Sequence, residues 1–242
     1  MTRPAEPAPA RVLLGALEDR QWDPVTHPHP ADWYSTGLAV TLTRADGTLA
    51  GVRLDRFTPG RAPVLEQALR QRHIEVQVGV TEPYVRGPRL TLTCPRAMTR
   101  LADLVWSEMP EPHQVAGELR AALISVGRRR PPVLAPVRPR VRGNQVEIGS
   151  LTVPQAIALQ RALGGPSFQY SDWRRLDALR RLVQGRVRPV MPGVTVTAAP
   201  GCARHACPDE IRIGPAPLGH IRALTGRLTT AATRGKRRGG TR

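Results

Sequence analysis

Residues 128–142 read RRRPPVLAPVRPRVR, with six arginines, four prolines and no acidic residue. Proline lacks a backbone donor and clashes with a preceding helical turn, so this run resists helix formation. It favours extended, polyproline-like backbone. The run also divides the charge of the chain. Residues 1–127 hold 14 arginines against 14 acidic residues and are neutral. The run itself adds +6. Residues 143–242, with 15 arginines, one lysine and five acids, add +11. The whole of the formal +17 therefore lies in the run and beyond it.

This partition predicts five segments. They are a disordered 1–10, a neutral α+β domain over 11–127, a basic Pro/Arg linker over 128–142, a basic α/β domain over 143–232 and a disordered basic tail over 233–242. A concentration of positive charge in one half repels itself unless a polyanion screens it. Nucleic acid is the polyanion that fits. The guanidinium is a planar donor fork that matches phosphate oxygens and the O6/N7 edge of guanine. Arg128, Arg129, Arg130, Arg138, Arg140 and Arg142 are expected to lie along phosphates. The use of arginine over lysine, 35 against the single Lys236, is read as the codon bias of a GC-rich genome, which does not account for the excess of base over acid or its confinement to one half.

Three cysteines, Cys94, Cys202 and Cys207, are too few to frame a secreted disulfide scaffold. The first residues, MTRPAEPAPA, lack the apolar core of a signal peptide. No apolar stretch approaches the length of a membrane span. The expectation is a soluble cytoplasmic protein with no membrane partner.

The neutral half reads as strands and helices in the order β-β-α-β-β-α-α, an antiparallel sheet with helices on one face. Leu38, Val40 and Leu42 alternate with polar or small residues, and Ala50, Val52 and Leu54 are expected to return against them through an Asp46-Gly47 turn. A second hairpin sets Ile74, Val76, Val78 and Val80 against Leu90, Leu92 and Cys94, so Cys94 is expected to be a small core side chain. Helices are expected over 12–17, 63–72, 95–109 and 112–126. Residues 21–36 read as a loop anchored by aromatics. Its His27 and His29, near Asp23 and Asp32, do not by themselves amount to a metal site. There is no phosphate-binding glycine loop, no G-x-S-x-G and no H-E-x-x-H. This half is expected to bind a protein partner or to self-associate.

In the basic half, Val146 and Ile148 mark a strand, and Thr152 with Gln155 has capping-box spacing ahead of a helix ended by Gly164-Gly165. Ser171 is expected to cap a second helix whose apolar stripe is Trp173, Leu176, Leu179, Leu182 and Val183. Gly185 is expected to stop it. Arg174, Arg175 and Arg181 lie off that stripe. Residues 186–190 and 194–197 read as a hairpin that carries Arg186 and Arg188. Strand, helix, turn, basic helix and basic hairpin, in this order over residues 145–197, resemble the core of a winged helix-turn-helix. That resemblance implies a helix laid in a DNA groove, with helix 112–126 as its first helix. Ile211 and Ile213 suggest a strand, and Leu218, Ile221, Leu224 and Leu228 a last amphipathic helix. Lys236, Arg237 and Arg238 are expected in the cationic tail.

Cys202, His205 and Cys207 form C-x2-H-x-C, weak candidates for zinc because a structural site takes four ligands. No cofactor is expected. Phe168 and Tyr170 are expected to pack in the core. The scarcity of aromatics favours duplex DNA over a single-strand stacking platform or RNA. The leading expectation is a non-enzymatic nucleic-acid-binding protein. The alternatives are a metal-dependent enzyme acting on nucleic acid and a structural component of a nucleoprotein assembly. Whether the protein is an enzyme stays open, with a non-enzymatic role favoured.

Overall fold

The computed structural model describes residues 8–27, 37–80, 87–127, 133–134, 136–202 and 207–239. The chain is mixed α+β, with antiparallel sheets in both of its two compact units, Met1–Pro110 and Glu111–Arg242. The boundary falls between Pro110 and Glu111, not within 128–142. The first unit carries 13 arginines against 12 acids; the second carries 22 arginines and one lysine against seven acids. The charge contrast therefore follows the folded units, at +1 and +16.

The first unit opens with α1 (Ala8–Asp19), longer than expected and reaching back into the segment read as disordered. Ala10 at its start is already buried. Strand β1 (Pro24–His27) follows, then β2 (Leu38–Leu42), two short strands β3 (Thr48–Leu49) and β4 (Val52–Arg53), and α2 (Ala62–Gln71). Strands β5 (Val76–Val80) and β6 (Pro88–Leu92) precede α3 (Pro95–Ser107). The main sheet has the order β1-β2-β6-β5.

The expected hairpin between 38–43 and 50–54 does not form. β2 instead lies centrally, with Val25 opposite Thr41 on one side and Val40 opposite Leu90 on the other. All five of its residues are buried, Thr41 included, and His27 Nε2 meets Thr41 Oγ1 at 2.7 Å. Ala50 and Gly51 both have positive φ, the signature of a tight two-residue hairpin turn, so β3 and β4 close on each other. Trp22 is buried, and its indole N–H donates to the Asp46 carbonyl at 2.8 Å, which fixes the segment before β1 against the connection from β2 to β3. The β5/β6 hairpin forms as expected, Val76 facing Leu92 and Val78 facing Leu90. Cys94 lies past the strand end, half-buried at the core edge. Its Sγ accepts from Ala97 N at 3.4 Å and caps α3.

The second unit comprises α4 (Glu111–Gly127), β7 (Arg140–Arg142), β8 (Gln145–Thr152), α5 (Val153–Ala162), a 3-10 turn at Trp173–Arg175 leading into α6 (Leu176–Val187), β9 (Val196–Ala199), β10 (Glu210–Pro217) and α7 (Leu218–Gly239). Its sheet is antiparallel throughout, in the order β7-β8-β10-β9. One core gathers Val115, Leu119 and Leu123 of α4 with Ile148, Leu159, Leu179, Ile213 and Leu224. Helix α4 is thus part of the basic unit. The capping box holds: Thr152 N donates to Gln155 Oε1 at 2.8 Å. Gly164, at φ 81°, ends α5 in the left-handed conformation that glycine adopts without strain.

Four expectations in this half need correction. Residues 128–142 do not join two domains, because both flanks belong to the second unit. Leu134 and Val137 are buried in its core, and 140–142 form an edge strand on β8. Prolines are tolerated on an edge strand, where a missing donor breaks no ladder. Second, 186–190 is not a strand. Helix α6 continues through Gly185 because Val187 extends the buried stripe Leu176, Leu179, Val183. Arg186 therefore sits on α6 and Arg188 at its C-cap, and the hairpin is β9–β10 instead. Third, Asp172, not Ser171, caps the turn into α6; its Oδ1 accepts from Arg174 N at 2.9 Å. Fourth, residues 233–239 are helical. Thr225, Thr229 and Thr230 hydroxyls donate to carbonyls four residues back, so the polar side of α7 bonds to its own backbone.

Candidate nucleic-acid interface

The exposed side of α6 carries the most regular array of charge. Arg174, Ala178, Arg181, Gly185 and Arg188 are all exposed and recur at spacings of four, three, four and three. At about 100° per residue Ala178, Arg181 and Gly185 of α6, with Arg188 at its C-cap, make one stripe roughly opposite Leu176, Leu179, Val183 and Val187, which are buried, and Arg174 is exposed in the 3-10 turn that leads into it. The core thus fixes which way the arginines face. Ala178 and Gly185 between them leave room for a close approach. Arg175 and Arg186 flank the row and are also exposed. Among the described residues, no carboxylate pairs with Arg174, Arg175, Arg186 or Arg188.

Acidic groups hold part of the array in place. Asp177 accepts from Arg180 Nε and pairs with Arg181 Nη2, both at 2.7 Å. The Arg180 hydrogen bond is the leading cause that holds the Asp177 carboxyl below its ordinary range, with Arg181 adding to it. Arg180 also donates to Gln184 Oε1 at 2.7 Å and lies along the helix. Arg181, paired only at its tip, extends into solvent.

A second basic edge is β7. Arg138, Arg140 and Arg142 point outward while Val137 is buried and Val141 half-buried between them. Arg142 pairs with Glu147 on β8. Arg128, Arg129 and Arg130 lie outside the described residues. Lys236, Arg237 and Arg238 belong to the last turns of α7. Arg222 of the same helix pairs with Glu111 at 2.6 Å and ties α7 to α4. The structure thus gathers Arg174 and Arg175 in the 3-10 turn before α6, Arg181 and Arg186 on α6 and Arg188 at its C-cap, and sets Arg140 and Arg142 on β7 with Arg138 just before it.

Where α6 begins, an open notch of about 530 Å³ is lined by Asp172, Trp173, Pro200, Gly201, Cys207 and Asp209. Trp173 does not pack inward with the apolar stripe; it is 65% exposed. The Arg174 guanidinium lies over its ring at 5.8 Å, and Arg175 lies over Phe168 at 5.0 Å. Tyr170 is half-buried, and its hydroxyl donates to Asp209 Oδ2. Gly201 N donates to Asp209 Oδ1 at 2.6 Å. These two donors, Gly201 first, hold the Asp209 carboxyl below its ordinary range. Desolvation and then the Asp209 hydrogen bond push the Tyr170 phenol up to about 12.

Cys202 and Cys207 face each other across an antiparallel bridge in the β9–β10 connection, with Cys207 N donating to Cys202 O at 3.1 Å. His205 lies outside the described residues. Among the described residues, no three His, Cys, Asp or Glu side chains gather as a metal set. No helix among them is long and apolar enough to cross a membrane.

Sequence reasoning missed Trp173, Tyr170 and Asp209 as one arrangement. The spacing of Trp173 matched the core stripe, and nothing local links Tyr170 to a carboxylate 39 residues away. No protein-family model matches this chain, and no curated protein or solved structure matches it significantly.

Proposed function

We propose that Glu111–Arg242 binds duplex nucleic acid, DNA in preference to RNA, by laying the arginine row of α6 against it. The observation that carries this reading is the set of exposed arginines, Arg174 in the turn before α6, Arg181 on it and Arg188 at its C-cap, while Leu176, Leu179, Val183 and Val187 of the same helix are buried. The B-form major groove admits an α-helix, whereas the A-form major groove is too deep and narrow for side chains to read. The order α4-β7-β8-α5-α6-β9-β10, with β10 paired between β8 and β9, supports a winged-helix arrangement that carries one extra edge strand, β7. In that arrangement α6 is the recognition helix and the β9–β10 connection is the wing. Strand β7 and the basic end of α7 add phosphate contacts.

The first unit, close to neutral, is proposed as the half that binds a protein partner or self-associates. An open groove of about 730 Å³, lined by Arg70, His73, Glu75, Gln77, Arg96 and Arg100 among others, supports that assignment. The proposed location is the cytoplasm, and the proposed role is binding rather than catalysis.

The test is duplex binding by the full chain from roughly 50 to 200 mM salt, because each neutralised phosphate releases counterions and steepens the salt dependence. Steep dependence is expected. No duplex binding at the low-salt end overturns the proposal.

A further inference from the structure

The notch at the start of α6 differs in chemistry from the arginine row beside it. Its walls include an exposed indole, Pro200 and two carboxylates, Asp172 and Asp209. Phosphate is repelled by two carboxylates. A flat ring with N–H groups on its edge is suited on both counts, because it stacks on the indole and donates to the acids. The volume, about 530 Å³, lies in the range of small-molecule sites. Arg174, whose guanidinium lies over the Trp173 ring at 5.8 Å, can hold the phosphate that such a ring brings with it.

The notch is also built. Asp172 is fixed by its bond from Arg174 N, and Asp209 by Gly201 N and the Tyr170 hydroxyl. Gly201 allows this closeness: a Cβ there would come within 2.3 Å of the Cys207 carbonyl oxygen. Both acids therefore present their remaining acceptor capacity from set positions.

We infer that the notch bounded by Trp173, Pro200, Asp172 and Asp209 receives one unpaired nucleobase, stacked on Trp173 and donating its exocyclic amino group to a carboxylate. This rests on the duplex-binding reading above and deepens it. The preferred substrate is a duplex with an extrahelical base, not a perfect duplex. Enzymes that act on bases take them out of the stack in the same way, reading them by stacking and by edge hydrogen bonds.

The experiment compares full-length protein on a perfect duplex and on the same duplex carrying one extrahelical 2-aminopurine. The extrahelical form is expected to bind about 10-fold tighter, the scale of one base stacked on an aromatic ring. Stacking is expected to quench the 2-aminopurine fluorescence. Trp173→Ala should bring the affinity ratio to about 1 and abolish the quench, while Trp173→Phe keeps part of both. Trp173 is exposed, so neither substitution opens the core. Equal wild-type affinities, or an advantage and quench that persist in Trp173→Ala, overturn the inference while leaving duplex binding intact. Failure to bind either duplex overturns the duplex-binding reading, and this one with it.

Discussion

The Tyr170 hydroxyl donates to the Asp209 carboxylate, joining the segment before α6 to the connection between β9 and β10. One hydrogen bond thus sets the start of the arginine helix against the proposed wing. Tyr170→Phe should lower stability by about 1 kcal/mol, the net value of a typical intramolecular hydrogen bond, as read from thermal or urea unfolding. Its pH dependence has two ends. The Asp209 carboxyl is depressed in the folded state, so its contribution is present above the ordinary carboxylate range and fades as pH falls through the folded value. The Tyr170 phenol is raised to about 12, so its contribution is complete below the ordinary tyrosine range and is lost as pH rises through about 12. Tyrosinate absorbance should show one of the three tyrosines titrating late, and Asp209→Asn should bring that titration down.

Arg181 and Arg180 are neighbours with opposite fates, and this separates binding from helix stability. Arg181 extends from the exposed stripe, while Arg180 lies along α6 between Asp177 and Gln184. Arg181→Ala should weaken duplex binding and reduce the magnitude of the salt slope by roughly 0.9 if it neutralises one phosphate. Arg180→Ala should leave that slope in place and lower thermal stability slightly. Fluorescence anisotropy over a salt series, with thermal unfolding of both variants, checks the pair. An equal loss of slope in both would remove the distinction between them.

Much of this arrangement is legible in the sequence. The β5/β6 alternation, the capping box at Thr152 and the α6 stripe from Leu176 to Val183 are local patterns, and local bonding satisfies them. What was not readable depends on choices made at a distance. Gly185 looked like a helix stop, but Val187 offered the core one more anchor. Trp173 continued the stripe by spacing, but the chain enters α6 through a 3-10 turn. At about 120° per residue, such a turn rotates a side chain off an α-helical stripe. The charge and prolines of the 128–142 run suggest a linker, but its alternation points elsewhere. Val137 and Val141 alternate with Arg138, Arg140 and Arg142, as on an edge strand.

Leu134 tests that last point. It is fully buried in the second unit, within the run that looked solvent-borne. A tether would tolerate Leu134→Ala without loss. A core position should lose about 2–5 kcal/mol. Urea unfolding of the full-length variant distinguishes the two, since the second unit alone should shift to lower denaturant. Arg140→Ala, on the exposed side of the same strand, should leave stability nearly unchanged and weaken duplex binding modestly.

The last prediction concerns the boundary. A fragment of residues 143–242 keeps most of the positive charge of the second unit but lacks α4 and β7. Val115, Leu119 and Leu123 of α4 are buried against the same core as Leu224 and Leu228 of α7. Removing those three side chains alone forfeits roughly 5–9 kcal/mol of burial. That is comparable to the net stability of a whole small domain, roughly 5–15 kcal/mol. The 143–242 fragment should therefore give a collapsed amide proton spectrum and bind duplex weakly, by charge alone. Glu111–Arg242 should give a dispersed spectrum and match the full chain in salt dependence. If the shorter fragment folds and binds as well as the longer one, α4 is not part of the binding unit. The winged arrangement built on it would then fail, because its first helix would be missing.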